Sequence, residues 1–307
     1  MTRTHPPVSI FGVPTDVGAG HQGTRMGPEA LRIAGLAQAL RARGVDVVDR
    51  GNVSGPPNPW QPPVDGYRHL DEVVAWNRAL RETSLAELRA GRMPVMMGGD
   101  HCLAIGSISA VADYCREQDR ELRILWLDAH SDFNTSNVTP SGNVHGMPVA
   151  CLSGLGPDAL TGIGDHVPAI SPSQVRQVGI RSVDQEEKRL VKQHGVDIYD
   201  MRYIDEMGMK RTMQAALADM DDNVHLHVSF DVDVLDPSVA PGTGTPVPGG
   251  LNYREAQLMM EMIADTGRMA SLDIVEVSPP LDTRNQTAAV AVELVESLFG
   301  KSTLMRD

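Results

Sequence analysis

Three groups able to bind a cation stand at alternate positions in the stretch 122–132: Asp128, His130 and Asp132. A nearly continuous apolar run, Ile124-Leu125-Trp126-Leu127, precedes them, and a chain that stays extended turns residues two apart toward one side. The device recurs in SFDVDVLDP, where Asp231 and Asp233 follow the apolar run 224–230. A third run ends in Gly98-Gly99-Asp100-His101, whose two glycines permit a tight path that brings His101 against the others. Glu276 ends a fourth, at 270–277. A single Asp after a strand is usually a helix cap or turn former. Here acidic and imidazole groups gather at the same end of four runs, and so many buried carboxylates repel one another unless cations hold them. Four Asp with two His form a mostly hard oxygen set that suits Mn²⁺ better than a thiolate-rich zinc site would. Six ligands exceed the needs of one small ion. Carboxylates that bridge two ions, roughly 3.5–4 Å apart and sharing a hydroxide, are therefore expected.

Positioning such a set requires strands that end together. Apolar, β-rich runs at 8–13, 45–49, 94–98, 122–127, 174–180, 196–199, 224–230 and 270–277 alternate with helical patterns at 28–43, 70–90, 105–117, 185–194, 209–221, 253–266 and 287–299. Continuous hydrophobic runs mark strands buried on both faces of a parallel sheet. The rhythm predicts an α/β fold: one domain over residues 1–307, three-layered α/β/α, with an eight-stranded, mostly parallel sheet. A closed (βα)8 barrel is the alternative, because periodicity does not reveal closure. The Pro-rich segment 55–63 is expected to be a surface loop, since the rhythm continues across it.

Composition excludes several classes. Hydrophobic residues make up 41% and charged residues 22%, an ordinary globular balance. A net charge of −13 disfavours nucleic acid and anionic membranes as partners, and no apolar stretch is long enough to span a bilayer. Cys102, Cys115 and Cys151 show no metal-ribbon spacing and are expected to be reduced thiols of a cytoplasmic protein. The start shows no secretory signal pattern.

Between the ligand runs lies a polar loop, 134–146, rich in Asn, Thr and Ser and carrying His145. A solvated connection is the ordinary reading. Its place directly after the metal motif points instead to substrate binding, with His145 as a proton carrier. His225 and His227 lie deeper in their strand, where core or supporting roles are expected. Asp16, His21 and Arg25 follow the first strand and are expected near the site mouth or a neighbouring subunit.

In order along the chain, GGDHCLAIGSISA (98–110), DAHSDFN (128–134), SGNVHGMP (141–148), GIRSVD (179–184), SFDVDVLDP (229–237), GTGTPVPGGLNYREA (242–256) and DIVEVSP (273–279) resemble the ureohydrolase family, its arginase type in particular. The resemblance implies two Mn²⁺ per subunit. One would be held by His101, Asp128, Asp132 and Asp231, the other by Asp128, His130, Asp231 and Asp233, with Asp128 and Asp231 bridging. It further implies hydrolysis of L-arginine to L-ornithine and urea by the bridging hydroxide. Glu276 would hold the guanidinium and His145 would move the proton, with Asp132 counted among the catalytic groups. Asn134, Thr139, Ser141 and Asn143 would grip the substrate's α-carboxylate, and Asp184 would approach its α-amino group. Thr245 and Glu187 would complete the substrate contacts. A homotrimer or homohexamer is implied, with no nucleic acid or membrane partner.

Agmatinase, guanidinobutyrase and formimidoylglutamase activities are the nearest alternatives. A deacetylase with one catalytic zinc is another, and a silent scaffold is disfavoured by the six filled ligand positions. Four positions depart from the family pattern: Ser131 for Thr, Val234 for Gly or Ala, and Gln185-Glu186 for Pro-Gly.

Overall fold

The computed structural model describes residues 5–304. Its strands are β1 (Val8–Gly12), β2 (Val47–Asn52), β3 (Met93–Met97), β4 (Glu121–Leu127), β5 (Val175–Val178), β6 (Asp197–Tyr199), β7 (Val224–Asp231) and β8 (Met269–Val275). Its helices are α1 (Gly27–Ile33), α2 (Leu36–Ala42), α3 (Leu70–Arg89), α4 (Ala104–Glu117), α5 (Pro148–Leu152), α6 (Asp158–Thr161), α7 (Gln185–His194), α8 (Met201–Met207), α9 (Met209–Ala216), α10 (Tyr253–Thr266) and α11 (Gln286–Leu298).

All eight strands lie in one sheet in the order β2-β1-β3-β8-β7-β4-β5-β6, and every pairing is parallel. β2 and β6 are free edges, so the sheet is open and the barrel alternative falls. Apolar side chains cover it on both faces. One face packs against α1, α2, α9, α10 and α11 through residues such as Leu31, Leu40, Met213, Ile263 and Leu294. The other packs against α3 and α4 through Leu80, Leu88, Ile105, Ile108 and Val111. Burial of this apolar area is the main term holding the layers together.

Several boundaries differ from the sequence-based expectation. The helix expected over 28–43 is two, because Gly35 adopts φ 88 between α1 and α2. Such a left-handed residue is nearly free for Gly and ends the α-helical ladder. The helix expected over 209–221 stops at Ala216, and α8 precedes it, separated by Gly208 at φ 76. The strand expected over 174–180 shrinks to four residues ahead of Gly179 at φ 97. α5 and α6 are too short to carry a readable period.

The sheet order has one consequence for chemistry. β3, β8, β7 and β4 are four consecutive central strands, and they are the four that end in candidate ligands. Loops leaving the carboxyl ends of adjacent strands converge, as in other open α/β sheets. Deeper in β7, His225 Nε2 and His227 Nδ1 both lie 2.9 Å from Ser271 Oγ of β8. Burial, with Arg120 and His227 nearby, pushes His225 down to about 3, so it stays neutral. Both histidines are cross-strand core residues. No helix of the described residues is long and apolar enough to cross a membrane.

Candidate metal centre

His101 opens a short 3-10 turn directly after the Gly98-Gly99 bend. Gly99 has no room for a Cβ, which would stand 1.7 Å from the Thr15 carbonyl oxygen. That close passage aims the imidazole into the strand ends. His101 Nδ1 lies 3.0 Å from Asp128 Oδ2, 3.2 Å from Asp231 Oδ2 and 3.3 Å from Asp132 Oδ2. His130 Nδ1 lies 3.0 Å from Asp233 Oδ2 and 3.4 Å from Asp128 Oδ1. Two ligand groups result, His101–Asp128–Asp231 and Asp128–His130–Asp233, and they share Asp128. Asp231 belongs to the first group only, and Asp132 reaches that group through its contact with His101. The expected alternation holds for Asp128 and His130. It breaks at Asp132, whose φ of 50 is left-handed, yet its carboxylate still turns inward. Glu276 sits just beyond β8 at φ 63 rather than within a strand. Strained backbone of this kind concentrates at functional sites.

A cation fits this arrangement. His101 Nδ1 is buried and surrounded by three carboxylates, but it hydrogen-bonds none of them. Ligand atoms that converge on a common point without bonding one another are what a metal ion requires. Burial, reinforced by the Asp128 charge, pushes the Asp132 carboxyl well above its usual range; burial with Asp233 and Asp128 does the same to Asp231. His101 is raised to about 9: burial opposes its charge, but the Asp128 carboxylate beside it outweighs that. Burial likewise opposes charge on His130, and the Asp233 carboxylate overrides it, leaving the group well above the ordinary histidine value. Without a cation the cluster must hold protons, and bound metal displaces them.

A cavity of about 230 Å³ opens over these ligands. The ligand residues His101, His130, Asp132 and Asp231 line it together with Thr245 and Glu276, and so do Asn134, Thr139, Ser141 and Asn143, with Asp184 and Glu187. Glu276 Oε1 accepts from the His101 backbone N–H at 2.9 Å and lies 3.1 Å from His145 Nδ1. Glu276 Oε2 is buried with no partner. Burial works against charge on His145, but its bond to Glu276 prevails and raises it above the ordinary histidine value. Thr245 donates to Asp233 Oδ2 at 3.1 Å, so it orients a ligand as well as lining the cavity. Asp184 caps α7 in a reciprocal box with Glu187, and Asn134 Nδ2 donates to Asp184 Oδ2 at 3.1 Å. The cap survives the Gln185-Glu186 departure because it depends on positions 184 and 187. Asp16 is buried and binds the Gly23 N–H and Asn58; Asp16, His21 and Arg25 are not among the cavity's lining residues.

The other departures are absorbed by neighbours. Ser131 Oγ donates to Gln177 Oε1 at 2.7 Å, tying the ligand loop to β5. Val234 packs where a Cβ on Gly179 would stand 2.5 Å from its methyl, so that glycine makes room for the added bulk.

Sequence reading missed the residues that hold the ligands. The Trp126 ring stacks on His101 at 4.0 Å and its Nε1 donates to Asp128 Oδ2 at 2.9 Å. Ser229 Oγ lies 2.8 Å from His101 Nε2. Each stands two residues before a ligand on the same face of its strand, so the alternation that found the ligands points to them too. Arg181 has no such signal. Its guanidinium donates to the Asp233 and Val247 carbonyls at 2.7 Å each and to those of Val234 and Leu235 at 3.2 Å. It thereby ties the Asp233 turn to the 242–250 loop that carries Thr245. Arg181→Met is expected to weaken Mn²⁺ binding about tenfold, in the range for residues supporting metal ligands, as measured by calorimetric titration.

The profile of the arginase family matches residues 6–300. An arginase of Bacillus caldovelox is 42% identical over 301 residues, covering 97% of this chain and 99% of that protein. An arginase of Brucella melitensis biotype 1 is 44% identical over 304 residues, covering 97% of each. The solved native structure of the Bacillus caldovelox arginase superposes with a TM-score of 0.91 at 42% identity, covering 98% of this chain and 100% of that one.

Proposed function

The chain belongs to the arginase family, and on that footing we propose that its cavity hydrolyses the guanidinium group of L-arginine to L-ornithine and urea. One observation carries the reading: two ligand groups sharing Asp128 border a cavity that the neutral polar residues Asn134, Thr139, Ser141 and Asn143 also line. His101, Asp128, Asp132 and Asp231 would hold one Mn²⁺, and Asp128, His130, Asp231 and Asp233 the second. When bound, the ion pair supplies a hydroxide at neutral pH by lowering the pKa of water.

The chain's own groups do the rest. Glu276 Oε2, buried and unpartnered, accepts guanidinium N–H groups in charge-assisted bonds. Its Oε1 keeps His145 Nδ1 engaged, which leaves Nε2 to hand over a proton. Cleavage between the guanidinium carbon and the side-chain nitrogen frees urea, and the ornithine amine takes its proton from His145 Nε2. At the far end the α-carboxylate meets Asn134, Thr139, Ser141 and Asn143, while Asp184, with Glu187 behind it, faces the α-amino group. These donors would stand unpaired against agmatine, which lacks the carboxylate, and that mismatch discriminates strongly.

His145→Asn is expected to lower kcat about a hundredfold, the low end for general acid–base catalysis, with metal content unchanged. Loss of metal in that variant would make His145 a ligand instead. The reading as a whole is tested by urea release from L-arginine, agmatine, guanidinobutyrate and formiminoglutamate with Mn²⁺. L-Arginine is expected to lead agmatine by at least about a hundredfold in kcat/KM. Faster turnover of agmatine overturns the assignment of the polar wall. A cytoplasmic homotrimer or homohexamer is part of the same proposal, and light scattering measures the subunit number.

A further inference from the structure

The cavity lining contains no Lys or Arg, although it must receive a carboxylate at one end and already holds Asp132, Asp184, Glu187, Asp231 and Glu276. The four residues assigned to that carboxylate, Asn134, Thr139, Ser141 and Asn143, are all neutral, and the acidic Asp184 and Glu187 line the same cavity. The nearest help stands one layer back. Arg68 Nε donates to Asn143 Oδ1 at 2.7 Å, a short bond for a charged donor. A guanidinium has no acceptor, so Asn143 must turn its oxygen toward Arg68, and its Nδ2 is committed to the other side. Asn143 itself lines the cavity, and a Cβ on Gly20 would stand 2.9 Å from its Nδ2.

The segment 53–69 is built to bring Arg68 there. Asp65 and Gly66 have φ 50 and 79 between Val64 and Tyr67, which exchange both backbone hydrogen bonds, the geometry of a two-residue Asp-Gly hairpin turn. A Cβ on Gly66 would stand 2.8 Å from the Ser136 carbonyl oxygen, so the turn docks directly on the polar loop. From there the Arg68 backbone N–H donates to the Gly142 carbonyl at 2.8 Å, and its Nη1 donates to the Gln61 carbonyl at 3.1 Å. The Pro-rich stretch is a brace as well as a surface loop: Trp76 Nε1 donates to the Pro56 carbonyl at 2.9 Å.

We propose that Arg68 is a positioning residue for substrate choice: it fixes the Asn143 amide with Nδ2 toward the cavity and polarises it as a donor to the substrate's carboxylate. The proposal rests on the assignment of the wall 134–143 to that carboxylate. A polarised donor strengthens a bond to an anion and does nothing for a substrate that lacks one.

The test compares L-arginine and agmatine on the Mn²⁺-loaded wild type, Arg68→Met, Arg68→Lys, Asn143→Ala and the Arg68→Met/Asn143→Ala double variant. Arg68→Met is expected to raise KM for L-arginine about tenfold with kcat within about twofold, and to leave agmatine kcat/KM within about twofold. Arg68→Lys, which keeps a charged donor, recovers most of the loss. Added to Asn143→Ala, Arg68→Met is expected to cost nothing further, because the two residues act as one unit. Equal losses on both substrates, or additive losses in the double variant, overturn the role and leave Arg68 a loop brace. A wild type that prefers agmatine overturns the underlying assignment of the wall, whatever the variants do.

Discussion

Asp128→Asn is expected to strip the chain of both metal ions while the fold stays intact. Asp128 is the residue common to the two ligand groups, with Oδ2 toward His101 and Oδ1 toward His130. Both oxygens also accept from the protein: Oδ2 from Trp126 Nε1 at 2.9 Å and Oδ1 from the His130 N–H at 2.6 Å. An amide has one oxygen, so its NH₂ must face one of those donors, and that end cannot ligate a cation. Loss of the negative charge also removes the main opposite charge beside His101, and one of the two beside His130. Metal analysis after Mn²⁺ loading should find fewer than one ion per chain. kcat/KM for L-arginine should fall at least about 10³-fold, equivalent to about 4 kcal/mol. Two retained ions would contradict the sharing.

Glu276→Gln should give nearly as large a loss by a different route, with both ions kept. The single amide oxygen is claimed by the His101 N–H and His145. The NH₂ then occupies the position of Oε2, so a donor faces the guanidinium's own donors. Breaking one side of a buried, charged pair costs about 2–5 kcal/mol, which corresponds to roughly a 30- to 5,000-fold fall in kcat/KM. The diagnostic is the contrast with Asp128→Asn: activity collapses in both, metal content in only one. A Glu276→Gln variant that binds and turns over L-arginine normally would remove Glu276 from the substrate's path.

The two predictions draw on residues that differed in legibility. Asp128, His130, Asp231 and Asp233 were readable because strand alternation is strict and each pair follows a long apolar run. Asp132 and Glu276 were readable as types, but their left-handed backbones were not, since tertiary packing imposes them. The sheet's eight strands followed from periodicity, whereas the break at Gly35 did not, because one glycine inside a helical pattern is ordinarily tolerated. Arg181 and Arg68 carried no local signal. Arg181 works by donating to backbone carbonyls of residues 233–247, and Arg68 meets Asn143 across 75 positions of chain. Contacts of that range depend on how loops from separate strands converge, which periodicity does not encode.

The central claim is a paired-cation cage, and counting metal tests it most directly. Chain dialysed against Mn²⁺ and then freed of excess should carry two ions by elemental analysis, and fewer than one after Asp128→Asn. A single ion in the wild type would contradict the shared-carboxylate cage and favour a mononuclear hydrolase on the same fold.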